Sequence, residues 1–240
     1  MSLPKPYYSS DKATIYCGDA RVIVQLLGAA DCLVTDPPWG LGELSGTISK
    51  ERNRNAYESH DDTEDYVVTE VIPIIKCALE KSGGRGLVSS GVPCMWHYPR
   101  PRYVGGFFQP AAVGMSPWGF AGFNPVLFYG KDPRDGRGQS LVMTTLTERA
   151  SNSEHPCAKP LSAMRWMVEK GSLSDEIILD PFAGSGTTGV ACMMLGRRFI
   201  GIEIDRKYAD VAVRRIREAE DAFALFEPPT KRTTPMLEFA

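Results

Sequence analysis

One stretch near the carboxyl end limits what this chain can fold into. Ile177-Ile-Leu-Asp180 is an apolar run of strand length that stops on a carboxylate, and Pro181-Phe-Ala-Gly-Ser-Gly186 follows as a glycine-rich turn. Thr187–Gly196 has the length of a short helix, and a second apolar strand, Phe199-Ile-Gly-Ile-Glu203, ends on another acid. That succession is a βαβ unit, and open α/β sheets take ligands where this turn lies, at the carboxyl ends of their strands. Gly184 and Gly186 admit a sharp turn and a ligand against bare main chain. Read literally, Gly184-Ser-Gly186-Thr-Thr-Gly189, with Glu203 19 residues after Gly184, fits a dinucleotide fingerprint. Two features oppose that reading. Asp180 at the strand tip would repel a pyrophosphate and suit a cation. Only 35 residues follow Asp205, so the other strands must come from upstream, whereas a dinucleotide domain opens with this unit. A positively charged nucleoside fits both features, and S-adenosylmethionine is the obvious one. The plainer alternative is that the glycines only make a tight strand–helix turn.

The upstream sequence supplies those strands. Ala13–Cys17 is a short strand ending in Gly18-Asp19, Arg21–Leu27 reads as one or two helical turns, and Asp31–Thr35 is a strand that runs into Asp36-Pro-Pro-Trp39. Two prolines after an apolar strand neither continue a ladder nor start a regular helix; they make a stiff turn with a carboxylate before it and an indole after it. Residues 40–63 are polar and aperiodic, with the length of a lid or binding loop. Apolar residues from Val67 to Leu79 recur at helical spacing across Glu64–Lys81, and Pro73 inside that pattern implies a kink or a late first turn. Gly86–Ser90, Tyr103–Phe108 and Pro125–Tyr129 are further strands, which makes seven in all. Pro160 stands at the head of a helix striped by Leu161, Met164, Met167 and Val168, and Lys207–Phe226 is a last amphipathic helix.

Composition narrows the function classes. With 240 residues and 43% hydrophobic content, the chain suits one globular domain. A net charge of −2 excludes a generally basic protein, so nucleic-acid contacts must come from local patches. Arg52, Arg54, Arg134 and Arg137 on loops are the phosphate-contact candidates, whereas Arg214, Arg215 and Arg217 read as a solvated face. The six cysteines include no Cys-x-x-Cys pair, so no metal site is expected and free thiols in a reducing cytoplasm are. Neither a signal peptide nor a membrane-spanning stretch is evident.

Taken together, Gly18-Asp19, Asp36-Pro-Pro-Trp39, His155-Pro-x-x-Lys-Pro160, Asp180-Pro-Phe-x-Gly-Ser-Gly-Thr187 and Glu203 resemble the amino-group DNA methyltransferases, which methylate the exocyclic nitrogen of adenine or cytosine. The motif order is similar to their β-type permutation. The resemblance implies an α/β, seven-stranded, Rossmann-like methyltransferase sheet in permuted order that binds S-adenosylmethionine. It divides residues 1–240 into a target-base half (about 13–90), a short recognition region (91–154), a cofactor-binding half (155–226) and a tail (227–240). It also implies roles. Asp180, Phe182, Gly184 and Gly186 would surround the cofactor's methionine part, with Pro181, Ser185 and Thr187 also in the cofactor-binding turn, Glu203 would hold the ribose hydroxyls and Asp19 would face the adenine. His155 and Lys159 would lie near the cofactor's carboxylate. Cys157-Ala158 departs from the Thr-Gln usual inside that motif.

Asp36, Pro37, Pro38 and Trp39 carry the chemistry. An exocyclic amine is a poor nucleophile because its lone pair is delocalised into the ring; a carboxylate and a backbone carbonyl that accept its two N–H groups favour a localised lone pair. Asp36 and the Pro37 carbonyl suit that task, and Trp39 offers a face for a base flipped out of duplex DNA. Asp at the head of this motif is typical of adenine-N6 members, with Ser more usual in cytosine-N4 members. Cytosine-N4 methylation, RNA adenine methylation and a catalytically silent nucleic-acid-binding partner are the alternatives. The short Lys131–Glu154 segment implies loose recognition, or recognition shared with residues 40–63 or with a second subunit of a homodimer.

Overall fold

The computed structural model describes residues 2–41, 62–109, 122–136, 140–145 and 159–226, with backbone pairs at 115–116 and 119–120. Its strands are β1 (Tyr8–Ser9), β2 (Ala13–Cys17), β3 (Cys32–Thr35), β4 (Gly86–Ser89), β5 (Tyr103–Phe108), β6 (Met115–Ser116), β7 (Gly119–Phe120), β8 (Phe123–Tyr129), β9 (Val142–Thr144), β10 (Ile177–Asp180) and β11 (Arg198–Glu203). Among the described residues nine of them form one sheet in the order β1-β2-β11-β10-β3-β4-β8-β5-β9, and β6 and β7 form a separate small hairpin. The seven expected strands are all present; β1 and β9 extend the two edges. The five strands from β2 to β4 in that order run parallel. Their carboxyl ends therefore bring Asp19, Asp36, Ser89, Asp180 and Glu203 to one edge of the sheet.

Side-chain alternation along these strands feeds two cores. On one face Tyr16, Leu33, Val88 and Leu179 pack with α1 (Ala20–Leu26) and the helical stretch from Glu64 to Lys81. On the other, Ile15, Val34, Leu87 and Ile178 pack with α4 (Leu161–Gly171), α5 (Thr187–Met194) and the last helix, α6 (Arg206–Phe226). The Glu64–Lys81 stretch is not one regular helix. A turn of α-helix, α2 (Glu64–Tyr66), passes into a π-helical segment, Val67–Val71, and α3 (Ile72–Lys81) restarts with Pro73 in its first turn. A proline without an N–H is tolerated there because first-turn donors have no partner inside the helix.

The structure extends one strand past the expected boundary. β8 begins at Phe123 rather than Pro125, so a proline lies inside a central strand. Gly106, which faces Pro125 on β5, directs its N–H to Leu141 on the far side, so this pair exchanges no hydrogen bonds. The side where a donor is missing thus faces β4, whose ladder with β8 ends at Ser89 and Val126. Pro125 forfeits nothing there. Among the described residues no helix is long and apolar enough to cross a membrane. The supposed lid (apart from its two ends), His155, Trp118, Arg52, Arg54, Arg137 and the tail lie outside the described residues.

Gly186 joins the glycine-rich turn to α5 with φ +78°, and a Cβ there would come within 2.9 Å of the Ala212 backbone in α6. Gly186→Ala should therefore lower stability by about 2 kcal/mol or more, from left-handed strain plus a clash with main chain. The urea midpoint should shift with little change in slope. Gly28→Ala, at a position with nothing within 4 Å, is the matched control and should shift little.

Candidate active site

Asp180 anchors the glycine-rich turn. Its side chain is 2% exposed, and both oxygens are committed inward. Oδ1 accepts the Thr35 hydroxyl at 2.6 Å and the Phe182 N–H at 3.0 Å, and Oδ2 accepts the Thr188 hydroxyl at 2.6 Å. Burial lifts this carboxyl to about 6, against the pull of those three donors, and the nearby Asp36 charge adds to the rise. The sequence placed Asp180 where its charge could meet a cationic ligand. The structure gives it a different contact set, in which it joins β3, the turn and α5 from beneath.

Glu203, at the tip of β11, is held in the same way from the other side. Its Oε2 accepts the Gly184 N–H and its Oε1 the Asp205 N–H, both at 2.8 Å. Burial raises its pKa, and backbone donors, those of Asp205 and Gly184 foremost, offset part of that rise. A carboxylate has roughly four acceptor positions, so about two remain for hydroxyls of a ligand over the turn. Gly18 donates its N–H to the Glu203 carbonyl, which sets Asp19 beside this acid. Asp19 caps α1 by accepting the Arg21 N–H, and the Arg21 guanidinium, itself paired with Glu70, holds the Asp19 carboxyl below its usual range.

Asp36 stands across the turn from Glu203. The Trp39 indole N–H points to Asp36 Oδ1 at 3.2 Å and to the Ser89 carbonyl at 2.9 Å, so the ring is fixed against the tip of β4. Gly91 makes this possible: its φ is +65°, and any Cβ would lie within 2.9 Å of three Trp39 atoms. Pro37 is buried and Pro38 half-buried, which holds the turn rigid. Beyond it the Gly40 N–H donates to Asp62 at 2.6 Å, clasping the two ends of the 42–61 segment. Lys159 reaches the same place, with Nζ 3.4 Å from Asp36 Oδ2 and 3.5 Å from the centroid of the Trp39 ring. Burial pushes the Asp36 carboxyl up and the Lys159 ammonium pulls it down.

Two arginines stand elsewhere than the sequence suggested. Arg215 is half-buried, not on a solvated face, and its guanidinium donates to the Ser185 carbonyl at 2.6 Å, the Ser185 hydroxyl at 2.8 Å and the Thr187 hydroxyl at 3.2 Å. It clamps the glycine-rich turn to α6. A position three residues after Ala212 and next to Ile216 borders the buried stripe, which was the available signal. Arg214 and Arg217 are exposed as expected. Arg134 pairs with Glu169 and follows β8, which leaves the sheet at the edge opposite Asp36. That makes it a poor phosphate contact for this site.

Residues 128–214 match the family model described as DNA methylase. Over 83 residues the chain is 42% identical to the type II methyltransferase M.HinfI of Haemophilus influenzae, covering 33% of this chain and 23% of that protein. It is also 39% identical over 94 residues to M2.DpnII of Streptococcus pneumoniae, covering 38% and 35%. Residues 128–214 thus resemble a DNA methylase segment, and the curated relatives matched are type II methyltransferases. The matches span about a quarter to a third of the length of these curated relatives. The methylase fold recurs in solved structures at low identity. The complex of M1.HpyAVI with SAM has a TM-score of 0.58 at 18% identity, covering 85% of this chain and 98% of that one. The cytosine-N4-specific PvuII DNA methyltransferase has 0.65 at 15%, covering 92% and 94%.

The Thr35–Asp180 bond ties the Asp-Pro-Pro-Trp turn to the glycine-rich turn, and its contribution is testable. Thr35→Val should cost about 1–3 kcal/mol by removing a donor from a buried carboxylate, while Thr35→Ser should cost less. Asp180 also predicts a pH dependence. Its folded pKa, about 6, lies above the ordinary 3.8. Between these values the unfolded chain has released a proton that the fold retains, so unfolding free energy falls as pH rises from about 4 to about 6 and then levels off. In Thr35→Val the decline should continue to higher pH. Urea titrations across that range would show both effects.

Proposed function

We propose that this chain is a DNA methyltransferase that transfers a methyl group from S-adenosylmethionine to the exocyclic amine of a base at a defined site, and that the base is adenine, modified at N6. The observation that carries this reading is the juxtaposition of the Asp36 carboxylate and the Trp39 ring with the glycine-rich turn along one sheet edge, joined beneath by Thr35 and Asp180. The match of residues 128–214 to the DNA methylase family model and the type II methyltransferase names of the relatives support it.

The residues present fit the cofactor. Glu203 retains acceptor capacity suited to vicinal hydroxyls, Phe182 and Gly184 are the half-buried positions of an otherwise buried turn, and Asp180, Glu203 and Asp36 supply negative potential for a sulfonium cation. When bound, S-adenosylmethionine supplies an electrophilic methyl group. Gly184, Ser185, Gly186 and Thr187 would cradle its methionine part with Pro181 and Phe182, Asp19 would lie toward the adenine, and His155 toward the carboxylate; the Lys159 ammonium, expected beside His155, instead reaches Asp36 and Trp39. Asp36 and the Pro37 carbonyl would accept the two N–H groups of the target amine and localise its lone pair. Trp39 would stack on the flipped base, and Asp36 is placed to receive the proton that leaves. These groups act by position and fixed charge.

Asp36 rather than Ser at the head of the motif favours adenine. The setting proposed is cytoplasmic, on duplex DNA, with recognition supplied by residues 91–154 or by a second subunit of a homodimer. Incubating mixed genomic DNA with labelled cofactor, digesting it to nucleosides and weighing the products by mass spectrometry should yield N6-methyladenine; N4-methylcytosine alone would show the adenine assignment to be wrong. Asp36→Ala should abolish turnover and leave cofactor affinity nearly intact. Glu203→Ala should weaken cofactor binding about tenfold or more, as expected for losing a charged hydrogen-bond acceptor worth about 1.5–3 kcal/mol. Unchanged affinity in calorimetry would remove Glu203 from the cofactor site.

A further inference from the structure

We infer that Lys159 stands in for the target base in the free protein: its ammonium fills the Asp36–Trp39 site and must withdraw before a base can enter. The inference rests on the methyltransferase reading of that site. Asp36 and Trp39 are proposed to grip a base in two ways, the carboxylate by its N–H groups and the indole by its ring. The Lys159 ammonium satisfies both at once, with Nζ 3.4 Å from Asp36 Oδ2 and 3.5 Å from the Trp39 ring centroid. Stacked bases lie about 3.4 Å apart, so a base on Trp39 requires the volume that Nζ occupies. The two arrangements exclude each other.

The local backbone explains why the lysine reaches outward. Lys159 precedes Pro160, whose carbonyl accepts the Ala163 and Met164 N–H groups and so opens α4. A cation at the amino end of a helix opposes the helix dipole. Its long stem instead carries the charge to a partly buried carboxylate that has no other cation on it among the described residues, where the groups around Asp36 are Trp39, Ser89, Asp180 and Tyr98. A partly buried carboxylate left unpaired is unfavourable. Lys159 therefore keeps the empty site in a defined state. It also sets a condition for entry. A base that brings an exocyclic amine replaces the ammonium's N–H donors on Asp36, whereas thymine offers a carbonyl there and leaves the carboxylate unpaired. Competition with Lys159 thus adds to selection for amine-bearing bases.

The test uses the full chain, tritiated S-adenosylmethionine and unmethylated genomic DNA. Absence of label transfer by the wild type would overturn the proposed function itself. Given transfer, Lys159→Met should lower the KM for DNA about tenfold on the pH plateau, the factor recovered if the site is self-occupied about nine-tenths of the time. Its affinity for S-adenosylmethionine by calorimetry should change by less than about twofold. The acid limb of kcat/KM should move to higher pH, because Asp36 loses the cation that favours its charged form. Lys159→Arg should return both readouts toward wild type. If Lys159→Met does not fold, Lys159→Gln serves the same comparison. An unchanged or higher KM for DNA with weakened cofactor binding would overturn the stand-in and place Lys159 at the cofactor's carboxylate.

Discussion

A buried carboxylate with three donors holds the working edge of this protein together. Asp180 receives one hydroxyl from β3, one from α5 and one backbone N–H from the turn between them. Each donor alone is an ordinary hydrogen bond; around an almost fully buried charge they become obligatory, because any one left out exposes the carboxylate to an apolar surrounding. Thr35 immediately precedes Asp36, and Thr188 lies in the first turn of α5. The same three bonds therefore register the Asp-Pro-Pro-Trp turn against the glycine-rich turn, and the distance between the two reacting partners of the proposed chemistry is set from below.

Above that anchor the site is acidic and incompletely neutralised. Asp36, Asp180 and Glu203 are all raised by burial, and hydrogen-bond donors or Lys159 temper the rise at each. Backbone donors quiet Glu203, hydroxyls and a backbone N–H quiet Asp180, and a cation on a four-carbon stem quiets Asp36. The difference is functional in kind: donors built into the fold persist, whereas an ammonium can leave. Arg215 acts on the same turn from outside, gripping Ser185 and Thr187 without touching an acid. The turn is thereby fixed at its root by a carboxylate and at its rim by a guanidinium.

The features legible in the sequence were those with local signals. The βαβ unit announced itself because an apolar run, two glycines and an acid fall within a few turns of chain, and the Pro-Pro turn because prolines forbid the alternatives. Pro73 was read as a kink or a late first turn, and it lies in the first turn of α3. What escaped were pairings made across sequence distance. The stripe of α6 located its buried face but not that Arg215 at its border would reach residues 28 to 30 positions back. The motif around Lys159 gave its neighbourhood and not the direction of its stem. β9 is three residues in a Gly/Arg-rich segment and borrows its extended form from β5, so no run of its own marks it. Asp180 shows the reverse limit. Its position was correct, yet whether a strand-tip acid points outward or inward depends on Thr35, 145 residues away.

The strand order has a consequence for how the molecule is made. β2 and β3 are synthesised early, yet they never meet; β11 and β10, near the other end of the chain, lie between them. While the ribosome is still adding the middle of the chain, the nascent protein carries two open strand edges in what will become the centre of its sheet. Unpaired edges of that sort invite pairing with other chains. Closure waits for the glycine-rich βαβ unit, which slides both missing strands into the gap together and brings Asp180 to Thr35. The βαβ unit, which follows every other strand of the sheet in sequence, is thus its keystone, and the nascent sheet has no working edge until that unit is seated.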